Sequence, residues 1–207
     1  MAEEKGHPFF AAFYGSFGRL GQGYLQGQVE KLLHGKKGRL LEVGAGPGFL
    51  FPLYGKRKDL QVTAVEPDPY MRRQAEGRAR QFGVELLPGR AEELPFPDES
   101  FDYVLTSLVL CTVQEPKKAI REMARVLRPG GELLFLEHVR GEGWRGRGQD
   151  LLRPLWEKVA GGCQLNRPTQ VWLQEEPLLQ EIEWESLPAV WPVQPILLGK
   201  ARRRAMA

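Results

Sequence analysis

Gly44, Gly46 and Gly48 stand at alternate positions directly after a short apolar run, Arg39 to Val43, and an acid, Glu66, ends the next apolar run. Glycines there let the chain turn tightly off a strand and let a ligand approach the backbone where side chains would block it, which suits a nucleotide-type cofactor. A pyrophosphate-bridged dinucleotide would need a third small residue at position 49 for close helix packing; that position is Phe49, so the spacing disfavours such a coenzyme. Glu66 lies about 20 residues beyond the glycine turn, the separation at which a strand-end carboxylate can accept both hydroxyls of a ribose. Met71 offers a polarizable apolar surface to one face of an adenine and Leu108 can cover the other, although either alone would equally be core. Glu42, on the first strand, places a carboxylate where an ammonium group or the field of a sulfonium would be favoured.

These residues need elements to position them. Phe9, Phe10, Phe13, Tyr14 and Phe17, followed by Leu25, Val29, Leu32 and Leu33, recur at helical spacing and predict an amphipathic lead-in over residues 1–37. Strands are predicted at Arg39 to Val43, Leu60 to Val65, Val84 to Leu87, Phe101 to Thr106 and Glu132 to Glu137. A helix is expected to start near Pro47, and another runs from Asp68 as N-cap to Gly83 just past its end. A third covers Glu115 to Leu127, with Ala119, Ile120, Met123, Val126 and Leu127 as its core stripe, until Arg128 to Gly131 break it. Gly141 to Gly148 reads as a mobile connector or lid before a helix over Leu151 to Val159. Glu181 to Leu187 and Val193 to Gly199 are two closing strands that pair at a sheet edge. Strands alternating with helices give an α/β fold, a Rossmann-like, mostly parallel sheet with helices on both faces. In such sheets ligands bind beyond the carboxyl ends of the strands.

Composition bounds the rest. A chain of 207 residues, 42% apolar and 27% charged, is of single-domain size and globular composition. A net charge of +3 is low for a protein that binds nucleic acid as its main task. No apolar run is long enough to span a bilayer and no apolar signal core opens the chain, so it reads as soluble, unexported and cytoplasmic. Two cysteines, Cys111 and Cys163, cannot build a disulfide framework, and His7, His34 and His138 show no recurrent metal-ligand spacing, so no metal is expected. Cys111 itself reads as a small buried apolar residue.

The segments Glu42 to Gly48, Val65 to Pro67, Gly89 to Phe96, Phe101 to Val104 and Val126 to Gly131, in this order and spacing, resemble the class I S-adenosylmethionine-dependent methyltransferases. Leu108 to Cys111, Leu136 to Val139 and Gly162 to Arg167 look like the alkyl thiol methyltransferase-like branch, whose animal members are membrane-associated. The resemblance implies a seven-stranded sheet ending in a hairpin, one strand of which opposes the rest, in a domain over 38–207. It implies S-adenosyl-L-methionine as cofactor and S-adenosyl-L-homocysteine as product. Gly44, Gly46 and Gly48 would line the methionine part, Glu66 would hold the ribose, and Met71, Ala91 and Leu108 would surround the adenine, with Ala45, Pro67 and Ser107 also among the cofactor-binding residues. Tyr14 would help close the lead-in over the cofactor. Position 90 is Arg where many relatives have an Asp for the adenine amino group, so Glu92 or a backbone carbonyl would take that part.

Such a reaction is an in-line displacement in which the protein aligns a nucleophile with the methyl group and excludes water. If the acceptor is a thiol, His138 is the candidate catalytic residue that favours its ionised form, although a strand-end His also bonds loop carbonyls. Cys163, Asn166, Arg167 and Thr169 are expected on the substrate side, and Trp144 and Trp156 could wall that pocket. The reading is a methyltransferase of a small molecule, a thiol or related soft nucleophile. C- or O-methylation of a quinone-like ring is the near alternative. A non-catalytic cofactor-binding or RNA-binding scaffold is the distant one, suggested by Arg140, Arg145, Arg147 and Arg202 to Arg204. Oligomeric state is not legible.

Overall fold

Apolar residues on both sides of the same strands require cover on both faces of the sheet, and that requirement builds the molecule. The computed structural model describes residues 6, 11, 19–189 and 191–205. In chain order these form α1 (Arg19–Leu33), β1 (Gly38–Val43), α2 (Phe51–Tyr54), β2 (Leu60–Val65), α3 (Pro69–Phe82), β3 (Glu85–Leu87), β4 (Phe101–Ser107), α4 (Pro116–Val126), β5 (Leu127–His138), α5 (Gly143–Val159), α6 (Thr169–Glu175), β6 (Leu179–Leu187) and β7 (Ile196–Arg203).

The seven strands lie in the order β3-β2-β1-β4-β5-β7-β6. Neighbours from β3 to β5 pair in parallel, and β7 alone runs antiparallel to both of its neighbours, as the closing hairpin requires. Alternate residues divide between two cores. Leu41, Val104, Leu133 and Phe135 join Ile120, Met123 and Leu173 of α4 and α6 on one face. Leu40, Leu105, Leu134 and Leu136 join Val29 and Leu33 of α1, Phe51 of α2 and Ala75 of α3 on the other.

Helix α3 follows its expected boundaries: the Asp68 carboxylate accepts from the Tyr70 and Met71 amides at 2.8 and 3.1 Å, and Gly83 closes the helix at φ 70°. Three expectations need correction. The segment after the glycine turn stays in irregular turns until Phe51, so α2 is shorter and later than Pro47 suggested. The helix before Arg128 to Gly131 does end there, at Val126, but β5 begins at Leu127, which pairs with Phe101, and not at Glu132; it takes in Arg128 to Gly131 at a register shift. The glycine-rich stretch before Leu151 is no connector, because α5 starts at Gly143. Its glycines serve close packing: a Cβ on Gly146 would lie 2.2 Å from the Gly141 carbonyl oxygen. Buried Gln149 then ties α5 to the loop before β7 by donating to the carbonyls of Pro192 and Gln194 at 2.8 and 2.9 Å.

Among the described residues, no helix is long and apolar enough to cross a membrane.

Candidate active site

The parallel strands β1, β2, β4 and β5 end on one edge of the sheet, and the loops there surround a cavity of about 1050 Å³. That volume lies at the upper end of the range for small-molecule sites, enough for a nucleoside-sized ligand and a second reactant.

At one end of the cavity, Gly44 leaves β1 at φ 72°, a conformation that costs a side chain about 1 kcal/mol or more, and a Cβ there would meet Val109 Cγ2 at 2.5 Å. The Gly44 and Ala45 amides bond the Val65 carbonyl at 2.9 and 3.1 Å, folding the turn onto β2. Glu66 fastens it further: one carboxylate oxygen accepts from the Gly46 amide at 2.7 Å and the other from the Asp68 amide at 2.9 Å. An ionised carboxylate has about four acceptor positions, so each oxygen keeps a lone pair for a ligand hydroxyl. Burial is the main reason that the Glu66 pKa is pushed up to about 7, with the two backbone bonds opposing. Glu42 is buried deeper and is pushed up to about 8, chiefly by burial, with the Glu66 charge adding to the rise. Its Oε2 has no full hydrogen bond within the chain, and the neighbouring Tyr54 hydroxyl lacks one too. A cation or a donor group in the cavity would satisfy this carboxylate.

Met71 and Ala91 are buried along the cavity wall, and Leu108 adds apolar surface to its lining. Leu108 sits at φ 58°, an uncommon conformation for a side chain of its size. Its holder is Glu137, a residue that sequence reasoning missed. Fully buried at the end of β5, Glu137 accepts from Thr106 Oγ1 and from the Val109 and Leu110 amides at 2.8, 3.0 and 3.1 Å. These bonds fix the loop after β4. Burial nevertheless holds the Glu137 carboxyl above the usual carboxylate range.

The other end of the cavity is sulfur-rich. His138, the last residue of β5, presents Nε2 at 3.0 Å from Cys163 Sγ, and Cys111 completes a group whose ligand atoms all lie within 4.8 Å of one another. Trp156 Nε1 donates to Cys163 Sγ at 3.4 Å, and Arg167 Nη1 donates to the Leu110 carbonyl at 2.6 Å. All five side chains line the cavity. Both cysteines are free thiols. The absence of any metal-ligand spacing in the sequence therefore conceals a cluster that the fold assembles from the ends of β4, β5 and α5.

The sequence-derived residues fall into place unevenly. Glu42, Gly44, Ala45, Gly46, Glu66, Pro67, Met71, Ala91, Glu92, Ser107 and Leu108 border the cavity, as do Cys163, Arg167 and His138. Gly48 stands behind the turn, where an added Cβ would strike the Phe51 ring at 2.7 Å. Glu92 uses Oε1 for the Gln114 and Glu115 amides at 2.8 and 3.3 Å, which makes it a fastener of the loop before α4. Asn166 and Thr169 are not brought to the cavity: Asn166 donates to Asp150 Oδ1 at 2.9 Å, and Thr169 is buried at the start of α6. Trp156 walls the cavity, whereas Trp144 is 70% exposed. Tyr14 lies outside the described residues. Within the lead-in, α1 brings Leu25 to the cavity, and Gln22 and Gln26 donate to the Phe49 carbonyl at 3.2 and 2.6 Å.

The arginines that suggested a polyanion surface are largely committed within the chain. Arg140 pairs with Asp150 through two bonds of 3.2 and 2.7 Å. Arg202 reaches Glu181 at 3.2 Å, and Arg203 is buried in β7, donating to the carbonyls of Arg125 and Leu127. Arg202 and Arg203 thus belong to the end of β7.

Comparison with known proteins agrees with this geometry. A family profile described as a methyltransferase domain matches residues 41–135. The chain is 35% identical over 182 residues to Thiol S-methyltransferase TMT1B of Homo sapiens, covering 83% of this chain and 74% of that protein. It is 36% identical over 175 residues to the protein of the same name from Rattus norvegicus, with 78% and 69% covered. Among solved structures, a SAM-dependent methyltransferase, possible histamine N-methyltransferase, from Thermotoga maritima superposes with a TM-score of 0.69 at 25% identity, covering 94% of this chain and 98% of that one.

Proposed function

The chain belongs to the S-adenosylmethionine-dependent methyltransferases, in the family of the thiol S-methyltransferases, and from that premise we propose that it methylates the sulfur of a small thiol. One observation carries the reading: a single cavity joins a turn and carboxylate suited to an adenosyl ligand to a cluster of buried Cys111, buried His138 and half-buried Cys163.

The residues present fit the cofactor. Glu66 is the proposed holder of the ribose hydroxyls, Met71, Ala91 and Leu108 of the adenine, and the Gly44 to Gly46 backbone of the methionine end. The Glu42 Oε2 atom, which has no full hydrogen bond within the chain, supports that placement, because it stands beside the turn where a cationic group would answer it. When bound, the sulfonium supplies a reactive methyl group, so the chain's own work is to bind, orient and exclude water. Leu25 of α1 and Gly6 border the cavity, which supports the lead-in as its cover.

His138, with Cys111 and Cys163, is the proposed acceptor end. A soft nucleophile suits sulfur-lined surroundings, and Arg167 in the same wall favours an acceptor that becomes anionic. Two adjacent free thiols support work in a reducing, cytoplasmic setting. The test is a panel of thiols, quinols, amines and RNA incubated with methyl-labelled donor. Label should appear on thiols. Label on quinol carbon or oxygen, with none on thiols, would favour the ring-methylating reading, and no transfer to any acceptor, with RNA bound, would favour a scaffold.

A further inference from the structure

Cys111, His138 and Cys163 have no part in holding the donor, yet the fold brings them together with unusual firmness. His138 is fixed by its place in β5, where it pairs with Ile196. Cys111 follows the loop that Glu137 and Arg167 bind through Val109, Leu110 and the Leu110 carbonyl. The loop of Cys163 is joined to it where the Gln164 amide donates to the Cys111 carbonyl at 2.8 Å. Sulfur and imidazole are the ligand set of zinc, and three protein ligands with one open position is the arrangement of catalytic zinc sites. In a tetrahedral site with metal–sulfur bonds of about 2.3 Å, ligand atoms lie roughly 3.5 to 3.8 Å apart. The observed group, within 4.8 Å overall and 3.0 Å between Nε2 and Cys163 Sγ, brackets that separation, so shifts on the order of 1 Å would form the site.

We propose that Cys111 Sγ, His138 Nε2 and Cys163 Sγ bind one zinc ion whose fourth position opens into the cavity and receives the sulfur of the acceptor thiol. The inference rests on the thiol reading above and specifies how the acceptor is activated. Charge supports it: two thiolates balance the dication, and the extra negative charge of a bound acceptor thiolate falls beside Arg167, which lines the same cavity. The acceptor R–SH gives its proton to solvent as its sulfur joins the metal. A lone pair on that sulfur then forms the new carbon–sulfur bond, while the bond from methyl to the donor sulfur breaks and its electron pair stays on S-adenosylhomocysteine. The neutral thioether R–S–CH₃ binds zinc weakly and leaves, so the net change is one methyl transferred and one proton released. His138 is then a metal ligand, and its earlier candidacy as a base is subsumed in the lowered pKa of the bound thiol.

The test uses the full chain, stripped of metal with a chelator, kept reduced, and titrated with Co²⁺ as a spectroscopic stand-in. The expected result is a thiolate-to-cobalt band in the near ultraviolet and tetrahedral bands in the visible, saturating at one equivalent and bleached by Zn²⁺. Addition of a small thiol should shift the visible bands, and Cys163→Ala, shown to be folded by circular dichroism, should lose them. Zinc should restore thiol methylation at least tenfold over the metal-free sample. Absence of the cobalt bands in reduced wild type, or their persistence in Cys163→Ala, would overturn the site. Undiminished thiol methylation by metal-free enzyme would overturn the metal's role while leaving the thiol reading intact. Metal binding without methylation of any thiol would overturn the thiol reading and, with it, the activating role.

Discussion

Replacing Glu66 with Gln keeps the shape of the side chain and removes its charge, which isolates what the carboxylate does. Each of its oxygens already accepts one backbone N–H, from Gly46 at 2.7 Å and from Asp68 at 2.9 Å, and a bound ribose would add one hydroxyl to each. In the amide, one of these oxygens becomes an NH₂ that can accept from neither hydroxyl nor backbone. Hydrogen bonds to charged groups contribute about 1.5 to 3 kcal/mol each, so losing one ligand bond and weakening the turn should cost about 2 to 4 kcal/mol of binding. At about 1.4 kcal/mol per tenfold, that is roughly a 30- to 1000-fold rise in the dissociation constant of S-adenosylhomocysteine, read by calorimetry. A pH signature accompanies it. Burial pushes the Glu66 pKa up to about 7, and hydroxyl donors favour the ionised form, so wild-type affinity should weaken up to about tenfold per unit as pH falls below 7. The variant should lack that dependence. An affinity within about threefold of wild type, with the pH dependence retained, would refute the ribose role and leave Glu66 as a turn fastener only.

Three further outcomes are expected. Glu42→Gln should flatten the pH dependence of the melting temperature of the cofactor-free protein: the folded pKa near 8 exceeds the ordinary carboxylate value, so the fold binds the extra proton and wild-type stability declines as pH rises from about 5 to 8. Equal slopes in the two proteins would contradict the burial of that carboxylate. Gly44→Ala should lower stability by about 2 to 4 kcal/mol in chemical denaturation, because a left-handed conformation and a 2.5 Å contact with Val109 act together; a loss below about 0.5 kcal/mol would show that the turn relaxes freely. His138→Ala should reduce turnover more for a thiol of high pKa than for one already ionised at assay pH, and equal losses would remove His138 from thiol activation.

How much was legible in the sequence follows from how local each signal is. The parallel sheet, the capped helix from Asp68 to Gly83 and the pairing of the closing strands rest on short-range patterns, and each was readable. So was Glu66, since its distance from the glycine turn is set by one strand-helix-strand unit. The group of Cys111, His138 and Cys163 was not, because a strand end and two loops remote in sequence meet only through strand order. Glu137 was hidden inside an apolar strand, where nothing local says that three donors from the β4 end will converge on it. The start of α5 was masked by Gly143, Gly146 and Gly148, whose small size serves packing but reads as a flexible connector. Arg203 reads as part of an RNA-binding cluster because burial of a strand-end guanidinium depends on carbonyls contributed by α4 and β5.

The most direct test of the account is a crystal structure of the chain with S-adenosylhomocysteine. Both ribose hydroxyls should rest on Glu66, the adenine should lie between Met71 and Leu108, and the ligand sulfur should face Cys111, His138 and Cys163. A nucleoside bound in the reverse sense, with its adenine against His138, or bound outside this cavity altogether, would contradict it.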